Sequence, residues 1–375
     1  MLAVALVAVV SLVAVVAVIA TRQSGRGGDI AVVPMPTGGP YPTPSIGVQF
    51  HGTWDELSDA DRVRIVDRLA ATGVDWVRID VSWSMIQPSP GRYDRNWGVP
   101  LVDQVLNLAH ARGLKVLAMF WLTPGWANGN RGKRSLPSNV DDYATAIRWA
   151  SARWRTQVQA WEVWNEPNSS EFLSPPDPAG YAELLQAAYP AVKAGNPAAK
   201  VVFGGTQYVD TGWIAKAYDA GVHGSFDVMA VHPYQGTASL PPDTPPDGSY
   251  RRLTYTPDLV ALLRREGDGG KPVWYTEFGW SAHANSPETP AWEQGVSEKQ
   301  QAAYLAETLS LVRTRYPQVT NVFWYTSRDL VTGEIQRDHR GLFRRDFSPR
   351  PVVEVIRCYV RGCHHGSPTK EAAAP

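Results

Sequence analysis

The feature that most constrains the fold of this 375-residue chain is a regular alternation of strand-like and helix-like segments from Ser45 to about Val360. Short apolar runs at Ile46–Phe50, Asp75–Val81, Lys115–Trp121, around Trp161, Val201–Gly204, Phe226–Val231, Pro272–Thr276 and Asn321–Tyr325 read as eight strands. Helical spacing fills the intervals. After Ser58, a residue suited to an N-cap, Val63, Ile65, Val66 and Leu69 fall on one face before Gly73 ends the pattern. Further helices are predicted over 101–111, 141–155, 181–195, 213–220, 257–266, 297–316 with Ser297 as N-cap, and 351–360. Strands and helices in strict alternation predict an α/β fold, a (β/α)8 TIM barrel forming a single catalytic domain over residues 45–362. A doubly wound sheet would need a glycine-rich turn after the first strand, and Gln49-Phe50-His51-Gly52 is not one.

In such a barrel, chemistry gathers at the C-terminal ends of the strands. Polar and aromatic residues fall there on six strands: Arg78 and Asp80, Trp121, Asn165 and Glu166, His232 and Tyr234, Glu277, and Trp324. Glu166 and Glu277 each end an aromatic strand, and cleavage of a sugar acetal needs two such carboxyl groups, one to give a proton and one to attack. The chain also carries 15 Trp. Many serve simply as core, but indole faces also stack on the C–H faces of sugar rings.

Four segments carry a family resemblance: Trp161-Glu162-Val163-Trp164-Asn165-Glu166-Pro167-Asn168, Val231-His232-Pro233-Tyr234, Thr276-Glu277-Phe278-Gly279-Trp280, and the stretch from Arg78 to Trp83. Together they resemble the retaining glycoside hydrolases of clan A. The run from Glu162 to Asn168 is most similar to family 39, and the cellulase-like family 5 is the near alternative. The resemblance implies a retaining O-glycosidase that cleaves β-glycosidic bonds of a poly- or oligosaccharide by double displacement. Glu166 would be the general acid/base and Glu277 the nucleophile. It implies further that Asn165 bonds the sugar 2-hydroxyl, that Arg78 keeps Glu277 ionised, that Tyr234 donates to Glu277, and that His232 binds a hydroxyl or orients Glu166. Trp324 would be the floor under the bound ring, with walls from Trp83, Trp126 and Trp280. Simpler readings stand beside these: Arg78 pairs inside the barrel with Glu162 or Asp80, and His51 reaches the sugar or merely satisfies a backbone carbonyl. Two alternative functions keep the same barrel. One is a cell-wall transglycosidase with Trp121, Trp126 and Trp280 as acceptor sites, and the other is a non-catalytic glycan-binding protein. Many family 39 members carry an added β-sandwich, which the short tail here does not accommodate. That departure predicts a monomer with a more open cleft, one wall of it the Pro/Gly-rich loop from Gln235 to Thr256.

The ends of the chain read differently from the barrel. Leu2 to Ala20 is apolar apart from Ser11, close to the roughly 20 residues that span a bilayer. Residues 1–20 are therefore expected to be a signal peptide or a membrane anchor, making the protein secreted or held on the outer face of the cytoplasmic membrane. Residues 21–44 form a Pro/Gly-rich linker and residues 363–375 a disordered tail. Cys358 and Cys363, the two cysteines, suit a local disulfide in an exported protein. Lys+Arg and Asp+Glu are equal at 36 each and no basic stripe is present, so no nucleic-acid partner is expected. His51, His223, His232 and Asp227 lack metal-ligand spacing and no Gly-x-Ser-x-Gly elbow occurs, so neither a metal, a cofactor nor a serine triad is called for.

Overall fold

The structure, a computed structural model, describes residues 42–362. The expected signal or anchor at 1–20, nearly all of the linker, and the tail 363–375 lie outside the described residues. Among the described residues no helix is long and apolar enough to cross a membrane. Cys358 is disulfide-bonded; its expected partner, Cys363, is not among the described residues.

Nine strands form one parallel sheet: β1 (Ser45–Gln49), β2 (Trp76–Ser82), β3 (Lys115–Trp121), β4 (Ala160–Val163), β5 (Lys200–Phe203), β6 (Thr206–Gln207), β7 (Met229–His232), β8 (Val273–Phe278) and β9 (Val319–Trp324). Their order is β5-β4-β3-β2-β1-β9-β8-β7-β6, so the first strand pairs with both the second and the last and the sheet curls into a barrel. The expected eight positions are present. The ninth strand arises because the fifth position is broken at Gly204-Gly205: β5 pairs with β4, β6 pairs with β7, and a single bridge between Val202 and Val228 joins the two flanks. A Cβ on Gly205 would collide with the His232 ring and the Thr276 hydroxyl, so only glycine lets the backbone pass there.

Local signals set the surrounding helices. The Ser58 hydroxyl accepts the Asp61 N–H at 3.1 Å to start Asp59–Thr72, and Gly73, at φ +91°, ends it. Ser297 and Gln300 form a full capping box at the head of Glu298–Arg315. Arg62 lies on the buried side of the first helix and donates to the carbonyls of Gly52 (2.6 Å) and Trp54 (3.0 Å), which pins the loop after β1.

The barrel interior is layered. Its lower part is an apolar plug of Trp76, Leu117, Ala160, Val202, Val228, Ala230, Trp274 and Phe323. Trp76 and Trp274 meet edge to face at 5.3 Å, and Gly47 on β1 leaves the room that Phe323 and Trp76 fill. Side chains alternate along a strand with period two. Two residues beyond Trp76, Ala160, Ala230 and Trp274, the same inward face therefore presents Arg78, Glu162, His232 and Thr276. This polar layer is the floor of the site.

Candidate active site

Arg78 organises the floor. It is fully buried, and all five of its N–H donors are used: Nε to Glu162 Oε2 (2.6 Å), Nη1 to Glu277 Oε1 (2.5 Å) and Gln49 Oε1 (2.8 Å), and Nη2 to Asn165 Oδ1 (2.8 Å) and Met119 Sδ (3.0 Å). The two readings of Arg78 are thus both realised, because one guanidinium fork spans Glu162 and Glu277. Burial alone would ease its deprotonation, but the charges of Glu162 and Glu277 outweigh this and raise its pKa further. Arg78 does not line the cleft, so its expected contact with substrate is corrected to an indirect one through Glu277 and Asn165.

The turn after β4 carries the other carboxyl group. Trp164 (φ +73°) and Glu166 (φ +40°) both adopt left-handed backbone, on either side of Asn165. Each such non-glycine residue costs on the order of 1–3 kcal/mol and persists only where its surroundings hold it. Here the Glu166 N–H donates to Gly205 O at 3.0 Å, and Asn168 clamps Gln207 through both its backbone N–H (2.8 Å) and its carbonyl (3.1 Å). The Trp-Asn-Glu-Pro-Asn motif is therefore locked to the broken fifth strand.

Glu277 reaches inward although its neighbour Thr276 does so too. The register of β8 against β9 shifts between Tyr275 and Phe278, which lets both side chains face the interior. Tyr234 donates to Glu277 Oε2 at 3.1 Å. His232, wholly buried on β7, sits between the acids: Nδ1 is 2.8 Å from Glu166 Oε1 and 3.8 Å from Glu277 Oε2. Its protonation pattern follows from its neighbours. The Thr276 hydroxyl donates to Glu162 Oε1 (2.8 Å), so it must accept from His232 Nε2 (3.0 Å), and Nε2 carries a hydrogen. Being sealed from solvent, His232 orients Glu166 and does not bind a sugar hydroxyl itself.

The two acids are pushed apart in proton affinity. Burial raises the Glu166 pKa above the ordinary carboxylate value, the nearby Glu277 and Glu171 charges add to this, and His232 only partly opposes it. Burial acts on Glu277 in the same direction, but the charges of His232, Arg78 and His51 together outweigh it and hold its pKa low. One oxygen of each acid and one His232 nitrogen lie within 4.8 Å of one another, a grouping that could also hold a metal ion. Arg78 and Tyr234 already direct donors onto Glu277, which disfavours a cation there.

A cleft of about 500 Å³ opens over these groups. Asn165, Glu166, Tyr234, Glu277 and His51 line it, as does Gln235 at the head of the Pro/Gly-rich loop. His51 binds Asp80 Oδ2 through Nδ1 at 2.6 Å, and its Nε2 has no partner among the described residues. The expected aromatic walls need correction. Trp324 is fully buried with its N–H on Arg340 O (2.9 Å), Trp280 is buried with its N–H on Leu240 O (2.9 Å), and Trp126 turns to Gln87 O (3.0 Å) against Trp83. None of the three lines the cleft. Tyr325, one residue past Trp324, lines it instead, together with Trp54, Trp121 and Tyr208. Alternation places Trp324 and Tyr325 on opposite faces, and their pairing at a strand end was the available signal. Tyr208 sits in a left-handed turn (φ +61°) with no sequence mark.

Residues 41–325 match the model of the cellulase family, glycosyl hydrolase family 5. The chain belongs to that family. No curated protein matches it. Solved structures of both resembled families share its fold. A family 39 glycoside hydrolase from Bacteroides cellulosilyticus WH2 is 27% identical with TM-score 0.67, over 85% of this chain and 64% of that one. A monomeric β-xylosidase from Caulobacter crescentus CB15 is 20% identical with TM-score 0.63, over 85% and 68%. A family 5 enzyme from Streptomyces cattleya, solved with GlcNAc, is 19% identical with TM-score 0.62, over 86% and 80%. At these identities the last two speak for the fold. This family 5 chain is thus a clan A glycoside hydrolase on the barrel foreseen from its strands. The family model is that of the near alternative, while family 39, the more similar by motif, supplies a structural relative.

Proposed function

We propose that the protein is a retaining glycosidase that cleaves β-linked poly- or oligosaccharide by double displacement, exported by its apolar N-terminal run. The observation that carries this is the separation of the carboxyl groups. Oxygens of Glu166 and Glu277 lie within 4.8 Å, in keeping with the roughly 5–5.5 Å of retaining pairs and short of the roughly 6.5–9.5 Å that accommodates an attacking water. Glu277, held ionised by Arg78, attacks the anomeric carbon while Glu166 protonates the leaving oxygen. Glu166 then removes a proton from the water that displaces the sugar from Glu277. Glu166 Oε1 is engaged by His232, which leaves Oε2 for the leaving group. Asn165 gives its Oδ1 to Arg78, which leaves Nδ2 for the sugar 2-hydroxyl. Tyr325 and His51 contact the ring. The transglycosidase alternative draws less support, since of its three acceptor tryptophans only Trp121 lines the cleft, and Trp126 and Trp280 are turned away from it.

The test is trapping. Incubation with activated 2-deoxy-2-fluoro glycosides of the xylo, gluco, galacto, manno and arabino series should add one sugar mass, located by peptide mapping on Glu277. Neither turnover nor trapping across the panel would leave glycan binding as the better reading.

Proton affinities give a second expected result. Activity requires Glu277 ionised and Glu166 protonated, so kcat/KM against pH should be bell-shaped. Its acid limb should fall below the ordinary carboxylate range and its basic limb above it. His232 lowers both pKa values, so in His232→Asn both limbs should move to higher pH. Limbs that stay in place would show that His232 carries no charge in the working enzyme.

A further inference from the structure

We propose that the sugar taken by this cleft bears a fixed negative charge, a carboxylate or a sulfate ester, and that Arg340 is the residue that meets it. The inference rests on the glycosidase reading for the substrate to be a glycoside. Four arginines are buried: Arg62, Arg78, Arg340 and Arg350. Three of them hold carboxylates: Arg62 with Asp59 at 2.9 Å, Arg78 with Glu162 and Glu277, and Arg350 with Asp329 at 2.5 Å. Arg340, 7% exposed, forms no ion pair among the described residues. Its hydrogen bonds go to neutral acceptors, Gln336 O (2.7 Å), Gln336 Oε1 (3.0 Å) and Gly279 O (3.1 Å). A guanidinium has five N–H donors, so two are left over. A buried cation without a counter-charge is costly, and a bound anion removes that cost.

The position of Arg340 makes the vacancy functional. It lines the cleft, and its guanidinium carbon lies 4.7 Å from the ring centre of Tyr234, the residue that donates to Glu277. The carboxylates of the cleft make their ion pairs elsewhere. Glu171 and Glu334 are both held by Arg337, Asp80 is held by His51, and Glu277 by Arg78. Arg134, exposed on the same cleft near the face of Phe172, likewise forms no ion pair among the described residues. Arg340 and Arg134 are thus the two arginines of the cleft that no carboxylate among the described residues has taken. They are suited to a charged sugar and to continuation of an acidic chain.

The test compares β-aryl glycosides matched except at C6: glucoside with glucuronide and with glucoside 6-sulfate, and galactoside with galacturonide. The wild-type chain should cleave a charged member of at least one pair about tenfold or more faster in kcat/KM than its neutral partner, as a charge-assisted contact would give. The carboxylate and sulfate arms tell which anion is meant. Arg340→Gln should close that gap by slowing the charged member alone, and Arg134→Gln, an exposed change that spares the fold, should lower the response to longer acidic chains. The proposal is overturned if the neutral member is preferred in every pair, or if Arg340→Gln slows both members equally, as a purely structural arginine would. Binding separates this from the glycosidase reading. Calorimetry on Glu277→Gln with cellotetraose and its C6-oxidised counterpart decides the charge preference even where nothing is hydrolysed. Tighter binding of the oxidised chain supports it, and equal or weaker binding overturns it.

Discussion

Replacing Glu277 with alanine is expected to lower kcat on an activated aryl glycoside by on the order of 10⁴-fold or more, the scale of losing an attacking side chain. The fold should survive, because Arg78 keeps Glu162 as a buried partner at 2.6 Å. The space opened lies below the anomeric carbon, so added azide should restore turnover and give a glycosyl azide of inverted configuration. The same experiment on Glu166→Ala should give azide of retained configuration, since azide then attacks the glycosyl enzyme from the face that water uses. Proton NMR of the two products separates the roles. Identical anomers from both variants would sink the assignment of nucleophile and acid/base.

The second large effect concerns stability. Arg78→Ala is expected to cost about 3–5 kcal/mol, because it strands two buried carboxylates that had shared one cation. Urea unfolding followed by tryptophan fluorescence measures it. The sign of its pH dependence is set by the loss of the cation. Stranded carboxyl groups are easier to bury protonated, so the variant gains protons on folding and its deficit should shrink as pH falls and widen towards neutrality. Arg78→Lys should recover little, since an ammonium supplies three donors at a point where five were spread over a planar fork. A deficit below about 1 kcal/mol, the level of an exposed ion pair, would contradict this account.

Much of the fold was legible because local chemistry and global topology agree. Ser58, Gly73 and Ser297 stand where helices start and stop, and the eight apolar runs fall on the eight barrel positions. The proposed catalytic pair was legible as a candidate because a carboxylate at the end of a buried strand has few other uses. What escaped was decided by direction. Trp324 and Tyr325 are adjacent and both aromatic, and only the register of β9 tells which faces the cleft. Trp126 and Trp280 lie beyond their strands, where no periodicity assigns a face. Arg78 posed a choice between partners that its five donors make unnecessary. That Arg340 and Arg134 lack an acidic partner among the described residues was invisible because it depends on which acids are already taken, a matter of three-dimensional pairing.

The break at Gly204-Gly205 has a dynamic consequence. A barrel resists opening because each strand is laced on both edges, yet at this flank the lacing thins to the Val202–Val228 bridge and the two-residue β6. If the barrel breathes anywhere along its wall, this seam is where it does so, and its amides should trade hydrogen for deuterium before those of β2 or β3. The Glu166 amide, at the end of β4, is itself fastened to Gly205 in the break. Glu166 therefore hangs between a strand paired along both edges, β4, and the break itself, while Glu277 sits where β8 slips register against β9, and a sugar that touches both would act as the missing stitch.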